Sequence, residues 1–203
     1  MQREAVDIRA RARQLGRRCS YGEILQFSGI PPMTRPFRAG GPPVRLGGAA
    51  PAALARTGRM YDGWLPYPPD PAEYTSGLRE VREAAAAARR SAGDITPALF
   101  VSVHIADDIG SGRQALDAYA RVTYGVPLVE LEKIQAVVTG TADRVVERLG
   151  QYVAAGARHI VGRLGALDLR SQREQLERSA ELIPALRTAA GRAETPDREP
   201  GRP

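Results

Sequence analysis

The sequence is short of residues that cross-link chains or hold metals. Among 203 residues it has one cysteine, Cys19, and two histidines, His104 and His159. One cysteine cannot close an internal disulfide, and it excludes a CxxC zinc site or an iron–sulfur cluster. Two histidines argue against a protein-only transition-metal site, so no metal is expected. Cys19 has no nucleophile motif around it. No stretch approaches 18 uninterrupted apolar residues, which excludes a membrane-spanning helix. The N-terminus has arginines and acids but no apolar core, so a secretory signal is not expected. With the single cysteine, this points to the cytoplasm.

What is present is ordinarily globular: 43% apolar and 26% charged residues. The length suits one domain with a tail, enough to bury roughly 70% of the unfolded surface. The formal net charge is +6, and lysine is nearly absent, Lys133 being the only one among 29 basic residues. The charge is lopsided. Residues 1–45 hold nine arginines against Glu4, Asp7 and Glu23, whereas residues 46–203 are balanced. An arginine-rich segment raises the possibility of nucleic-acid binding, since basic patches give salt-dependent phosphate affinity. No helix-turn-helix, zinc-finger or aromatic RNA-binding signature accompanies it, so a solvated helix face is the better reading.

The apolar spacing of Ala5, Ile8, Ala12 and Leu15 predicts a helix over residues 3–18. Residues 19–43, rich in glycine and proline, read as an irregular excursion with room for a short hairpin around Tyr21–Phe27. From Pro43 strands and helices alternate. Strands are expected at Val44–Leu46, Gly63–Leu65, Leu99–Ile105 and His159–Leu164. Helices are expected from Pro51, and from Asp70 through Ala84–Ala88 to Gly93. Others are expected near 112–124 and 127–137, from Thr141 to Gly156, and from a Ser171–Glu174 capping box. Asp107 and Asp108 read as a loop and helix-cap pair, Gly110-Ser111-Gly112 as flexible connection, and 189–203 as a disordered tail. Strands alternating with helices call for a parallel sheet with right-handed crossovers.

The most informative segment is Val44-Arg-Leu-Gly-Gly-Ala-Ala-Pro51, a strand running through two glycines into a helix start. Glycines admit close backbone approach, and a helix N-terminus offers unpaired N–H groups and a positive dipole end. Such a loop can hold a phosphate, or it can be a tight strand–helix turn.

The stretch Pro42–Arg56, followed by Tyr61-Asp-Gly-Trp-Leu-Pro66, resembles the central signature of the luciferase-like monooxygenase family. Ser20–Glu23, Phe100–Asp107, Val138–Glu147 and Ala155–Val161 resemble further family segments, in order. The resemblance covers nearly all of residues 3–188. It implies an α/β fold, the C-terminal half of a TIM (β/α)8 barrel, with about four parallel strands equivalent to strands five to eight. Such barrels run to roughly 250 residues, so strands one to four have no counterpart here. Residues 1–18 become an outer helix, 19–43 an excursion and 44–188 the βα units.

The family's members are flavin- or deazaflavin-dependent oxidoreductases acting on small organic molecules. The resemblance therefore implies FMN or the deazaflavin coenzyme, with its phosphate gripped by Gly47, Gly48, Ala49 and Ala50. Asp62-Gly63-Trp64 would open strand six. Trp64 is either cavity lining or a buried structural tryptophan, and Tyr67 can edge the substrate pocket. His104 is either a cavity proton donor or an ordinary hydrogen-bonded histidine. His159 reads as structural. A half-barrel would leave two sheet edges and an apolar inner face open. That implies homo-oligomers or association with a complementary half, and an inactive or partner-dependent fragment is the rival reading.

Overall fold

A computed structural model of the chain describes residues 18–21, 23, 24, 26–30, 37 and 41–194. The chain divides into two units, Met1–Pro43 and Val44–Pro203. In the first, β1 (Arg18–Tyr21) and β2 (Gln26–Ile30) pair antiparallel with Tyr21 opposite Gln26. This is the anticipated hairpin, one that also takes Arg18 away from the predicted helix. Residues 3–17 of that predicted helix lie outside the described residues.

The second unit carries a parallel sheet of five strands: β3 (Arg45–Leu46), β4 (Gly63–Trp64), β5 (Thr96–Ile105), β6 (Val137–Gly140) and β7 (His159–Leu164). β4 pairs with β3 and with the start of β5, β7 with its middle, and β6 with its end. All four anticipated strands are present. β6 is an addition: residues 127–137 were expected to be helical. Helix α1 is Pro51–Met60, α2 Pro71–Ala87, α3 Ile109–Tyr124, α4 Leu128–Leu131, α5 Ala142–Ala154 and α6 Leu169–Glu194. No helix among the described residues is long and apolar enough to cross a membrane.

Several helix boundaries follow from side-chain chemistry. Asp70 caps α2 by accepting from the Ala72 N–H at 2.7 Å, with Pro71 at the first position, as the sequence predicts. The helix ends sooner than expected, where Arg89 turns left-handed at φ 57°. Asp108 caps α3 by accepting from the Ser111 N–H at 2.9 Å. Gly110, Ser111 and Gly112 are thus the first turn of a helix, not a connection. The cap of α6 is Asp168, not Ser171. Its carboxylate accepts from the Ser171 N–H at 2.9 Å and from the Ser171 hydroxyl at 2.7 Å. α6 continues to Glu194, which overturns the predicted tail for 189–194; residues 195–203 lie outside the described residues.

The core lies on one face of the sheet. Leu99, Val101, Val103 and Ile105 alternate along β5 and pack with Tyr74 and Leu78 of α2, Leu149 and Tyr152 of α5, and Leu182 of α6. Buried apolar area of this kind is the main term holding the layers together. α1 and α2 touch backbone to backbone at Gly58, where a Cβ would come within 2.5 Å of the Val81 carbonyl. A second, smaller cluster joins Leu116, Tyr119 and Leu128 with Tyr124 and Val137.

Candidate cofactor and substrate site

Strand β3 ends at Leu46, and Gly47-Gly48-Ala49-Ala50 leads into α1. Gly48 sits at φ 95°, a conformation that costs residues with a Cβ. The restriction is conformational rather than spatial, since a Cβ there would stand 3.5 Å from the Ala53 Cβ, an ordinary contact. No side chain caps Ala50 and no acid occupies the first turn of α1. Gly47, Ala49 and Ala50 are exposed. The loop thus presents backbone and the positive end of a helix dipole at the C-terminal edge of a parallel sheet, where barrel sites form.

Trp64 lies beneath this loop. It is 1% exposed, its ring centroid stands 5.1 Å from that of Tyr74, and its Nε1 donates to the Gly48 carbonyl at 2.9 Å. The register puts it on the core face with Leu46 and Pro97, so it reaches the site only through Gly48. Tyr67 is 47% exposed just beyond β4, where its carbonyl accepts from the Ala136 N–H at 2.8 Å.

The other face of the sheet carries the remaining candidates. Alternation places Phe100, Ser102 and His104 opposite the core, and the parallel register adds Arg45, His159 and Arg163. This face is mixed: apolar Ala98, Phe100, Val137 and Val161 share it with the polar side chains, so only part of the expected apolar inner face is present. His104 Nδ1 lies 2.9 Å from the Gly165 carbonyl. A carbonyl only accepts, so Nδ1 carries the proton and Nε2 of the neutral ring is the free acceptor. The His104 carbonyl in turn accepts from the Thr139 hydroxyl at 2.7 Å. Ser102 is buried and accepts from Gln135 Nε2 at 2.7 Å.

At the opposite end of the strands Arg45 donates to His159 Nδ1 at 3.3 Å. It lies across Gly63, whose Cβ would stand 2.8 Å from the Arg45 Cγ. Arg45, Gln135 and Arg163 were not anticipated from sequence. Alternation along 159–164 was the available signal for Arg163.

The acids near these strands have structural duties. Hydrogen bonds from the Ser111 amide and hydroxyl hold the Asp108 carboxyl below its ordinary range. Asp107 pairs with Arg178 at 2.9 Å. Among the described residues no cluster of histidine, cysteine or carboxylate could hold a metal ion.

The family profile described as luciferase-like monooxygenase matches residues 2–133. The chain belongs to the luciferase-like monooxygenase family. No curated protein sequence matches it. Among solved structures, an F420-dependent secondary alcohol dehydrogenase in complex with an F420–acetone adduct is similar at TM-score 0.64 and 15% identity, covering 84% of this chain and 56% of that one. The coenzyme F420 dependent tetrahydromethanopterin reductase from Methanopyrus kandleri is similar at TM-score 0.58 and 16% identity, covering 83% and 58%. A long-chain alkane monooxygenase is similar at TM-score 0.55 and 13% identity, covering 83% and 46%. At these identities the likeness shows the fold. The chain spans about half the length of the luciferase-like structures it matches.

Proposed function

We propose that this chain grips a flavin or deazaflavin cofactor by its phosphate and serves the oxidation or reduction of a small organic molecule. The observation that carries the reading is the Gly47–Ala50 loop: a left-handed glycine and an uncapped helix start at the C-terminal end of a strand. That donor set suits a phosphate without any basic side chain. The similar structures named for F420 support the same chemistry. When bound, a reduced flavin activates oxygen and a reduced deazaflavin delivers hydride.

The chain's own residues have distinct duties in this reading. Gly48 shapes the loop, and Trp64 fixes the Gly48 carbonyl from below. Ala49 and Ala50 offer their N–H groups to the phosphate. Tyr67 edges the pocket. His104, with Nδ1 committed to Gly165, keeps Nε2 for a proton at the substrate.

Half the length of the similar structures is not represented here, so turnover in this reading requires a complementary half or a second copy, and the chain works in the cytoplasm. Titration of the full chain with FMN and with F420, followed by cofactor fluorescence, tests the reading. Saturable quenching by one of them, lost in Gly48→Val, is expected. Absence of binding by both at millimolar concentration overturns it.

A further inference from the structure

Arg163 differs from the arginines of this unit that are paired with acids. Arg113, Arg121 and Arg178 each face a carboxylate at 2.7 to 2.9 Å. Arg163 has no carboxylate partner among the described residues, yet it is held in place. Its guanidinium carbon lies 5.7 Å from the Tyr119 ring centroid and 5.4 Å from that of Tyr124. Its Nη1 donates to the Tyr124 hydroxyl at 3.1 Å. The two rings meet edge-on at 6.3 Å, and Gln135 approaches the same hydroxyl at 3.4 Å. Stacking on aromatic faces orients a guanidinium while leaving its outer N–H groups to bind.

We propose that Arg163 is the anion-recognition residue of the sheet face that carries His104, binding a carboxylate of the organic substrate. Arg163 pairs in register with Ser102, two residues before His104 on the same face. A carboxylate on Arg163 therefore holds the rest of the molecule roughly 7 Å along the strand direction, beside His104 Nε2. The anion is not the cofactor phosphate. Strands β4 and β5 lie between β3 and β7, so the Gly47–Ala50 loop and Arg163 are separate anion positions. A planar fork of N–H donors suits a carboxylate, which accepts two parallel hydrogen bonds. The inference rests on the cofactor reading for the meaning of the face, but not for the binding itself.

The test uses the full chain with malonate and benzoate as probes. The Nε–Hε NMR signal of Arg163, assigned by its loss in Arg163→Lys, should shift saturably with either carboxylate. Chloride at equal ionic strength should leave it in place. Arg163→Gln should weaken carboxylate binding by roughly tenfold or more, and Tyr124→Phe by less. FMN binding, read separately, should be unchanged in Arg163→Gln. FMN binding without a carboxylate response overturns the Arg163 assignment and leaves the cofactor reading standing. A carboxylate response without binding of FMN or F420 overturns the cofactor reading and keeps Arg163 as an anion site. Equal shifts with chloride, or unchanged affinity in Arg163→Gln, overturn the proposal through simple screening. So does an acidic complementary segment that pairs with Arg163 and abolishes the carboxylate response.

Discussion

The two faces of the same sheet do different work. On one, Leu99, Val101, Val103 and Ile105 meet α2, α5 and α6 in a continuous apolar layer. On the other, Arg45, Ser102, His104 and Arg163 meet their neighbours through hydrogen bonds and ring faces. A β-strand sends successive side chains to opposite faces, so β5 serves both within ten residues. The difference teaches that the larger apolar layer lies on one face, while the other keeps hydrogen-bonding groups beside the smaller cluster contributed by α3. Substitutions should separate the two.

The largest effect is expected on the covered face. Trp64→Ala should cost about 3–5 kcal/mol, the usual range for truncating a buried aromatic, read as a lower urea midpoint at unchanged slope. Trp64→Phe should cost less while releasing the Gly48 carbonyl. A Trp64→Ala protein as stable as wild type would break the comparison at its strongest point.

Next comes the loop where the faces meet. Gly48→Ala should cost about 1–2 kcal/mol, because a Cβ penalises the left-handed conformation. It should also weaken FMN binding in fluorescence titration. Since a Cβ there meets only an ordinary contact with Ala53, a larger loss would mean the loop is packed more tightly than its geometry indicates.

Much of this was legible in the sequence, for local reasons. Leu99, Val101 and Val103 show the alternation of a half-covered strand, and Asp70-Pro71 spells a helix start in two residues. The Gly47-Gly48 pair before Pro51 marks its own turn. β6 was not legible. Val137 and Val138 follow the apolar spacing of Leu128, Leu131 and Ile134, and a short apolar run does not distinguish helix from strand. The start of α6 was ambiguous because Asp168–Ser171 and Ser171–Glu174 are both valid capping pairs, and the acid three residues earlier is the one that accepts. Arg163 was hidden for another reason: Tyr119 and Tyr124 reach it from about forty residues away, a proximity that only the fold creates.

On the face opposite that layer, two substitutions should diverge. Ser102→Val leaves buried Gln135 Nε2 without its 2.7 Å acceptor and should cost about 1–3 kcal/mol. Arg163→Gln changes an exposed side chain and should stay within about 0.5 kcal/mol. Equal losses in thermal unfolding would mean that this face is structural throughout, and the division between the faces would fail.

The smallest effect should appear in acid. Asp108 and Asp168 both cap helices that follow sheet strands, and hydrogen bonds from Ser111 and Ser171 hold their carboxyls below the ordinary range. A carboxyl whose folded value is depressed stabilises the protein above its unfolded value. That contribution is lost as pH falls through the folded value. Stability should therefore be level near neutrality and decline below about pH 4, where free aspartate begins to protonate. Asn is also a good helix cap but does not titrate in this range. Asp108→Asn with Asp168→Asn should flatten part of that decline in melting temperature against pH, with little change at neutral pH. A decline confined to acid, and reduced by the double substitution, would place the pH sensitivity in the caps; a decline that the double substitution leaves unchanged would remove it from them.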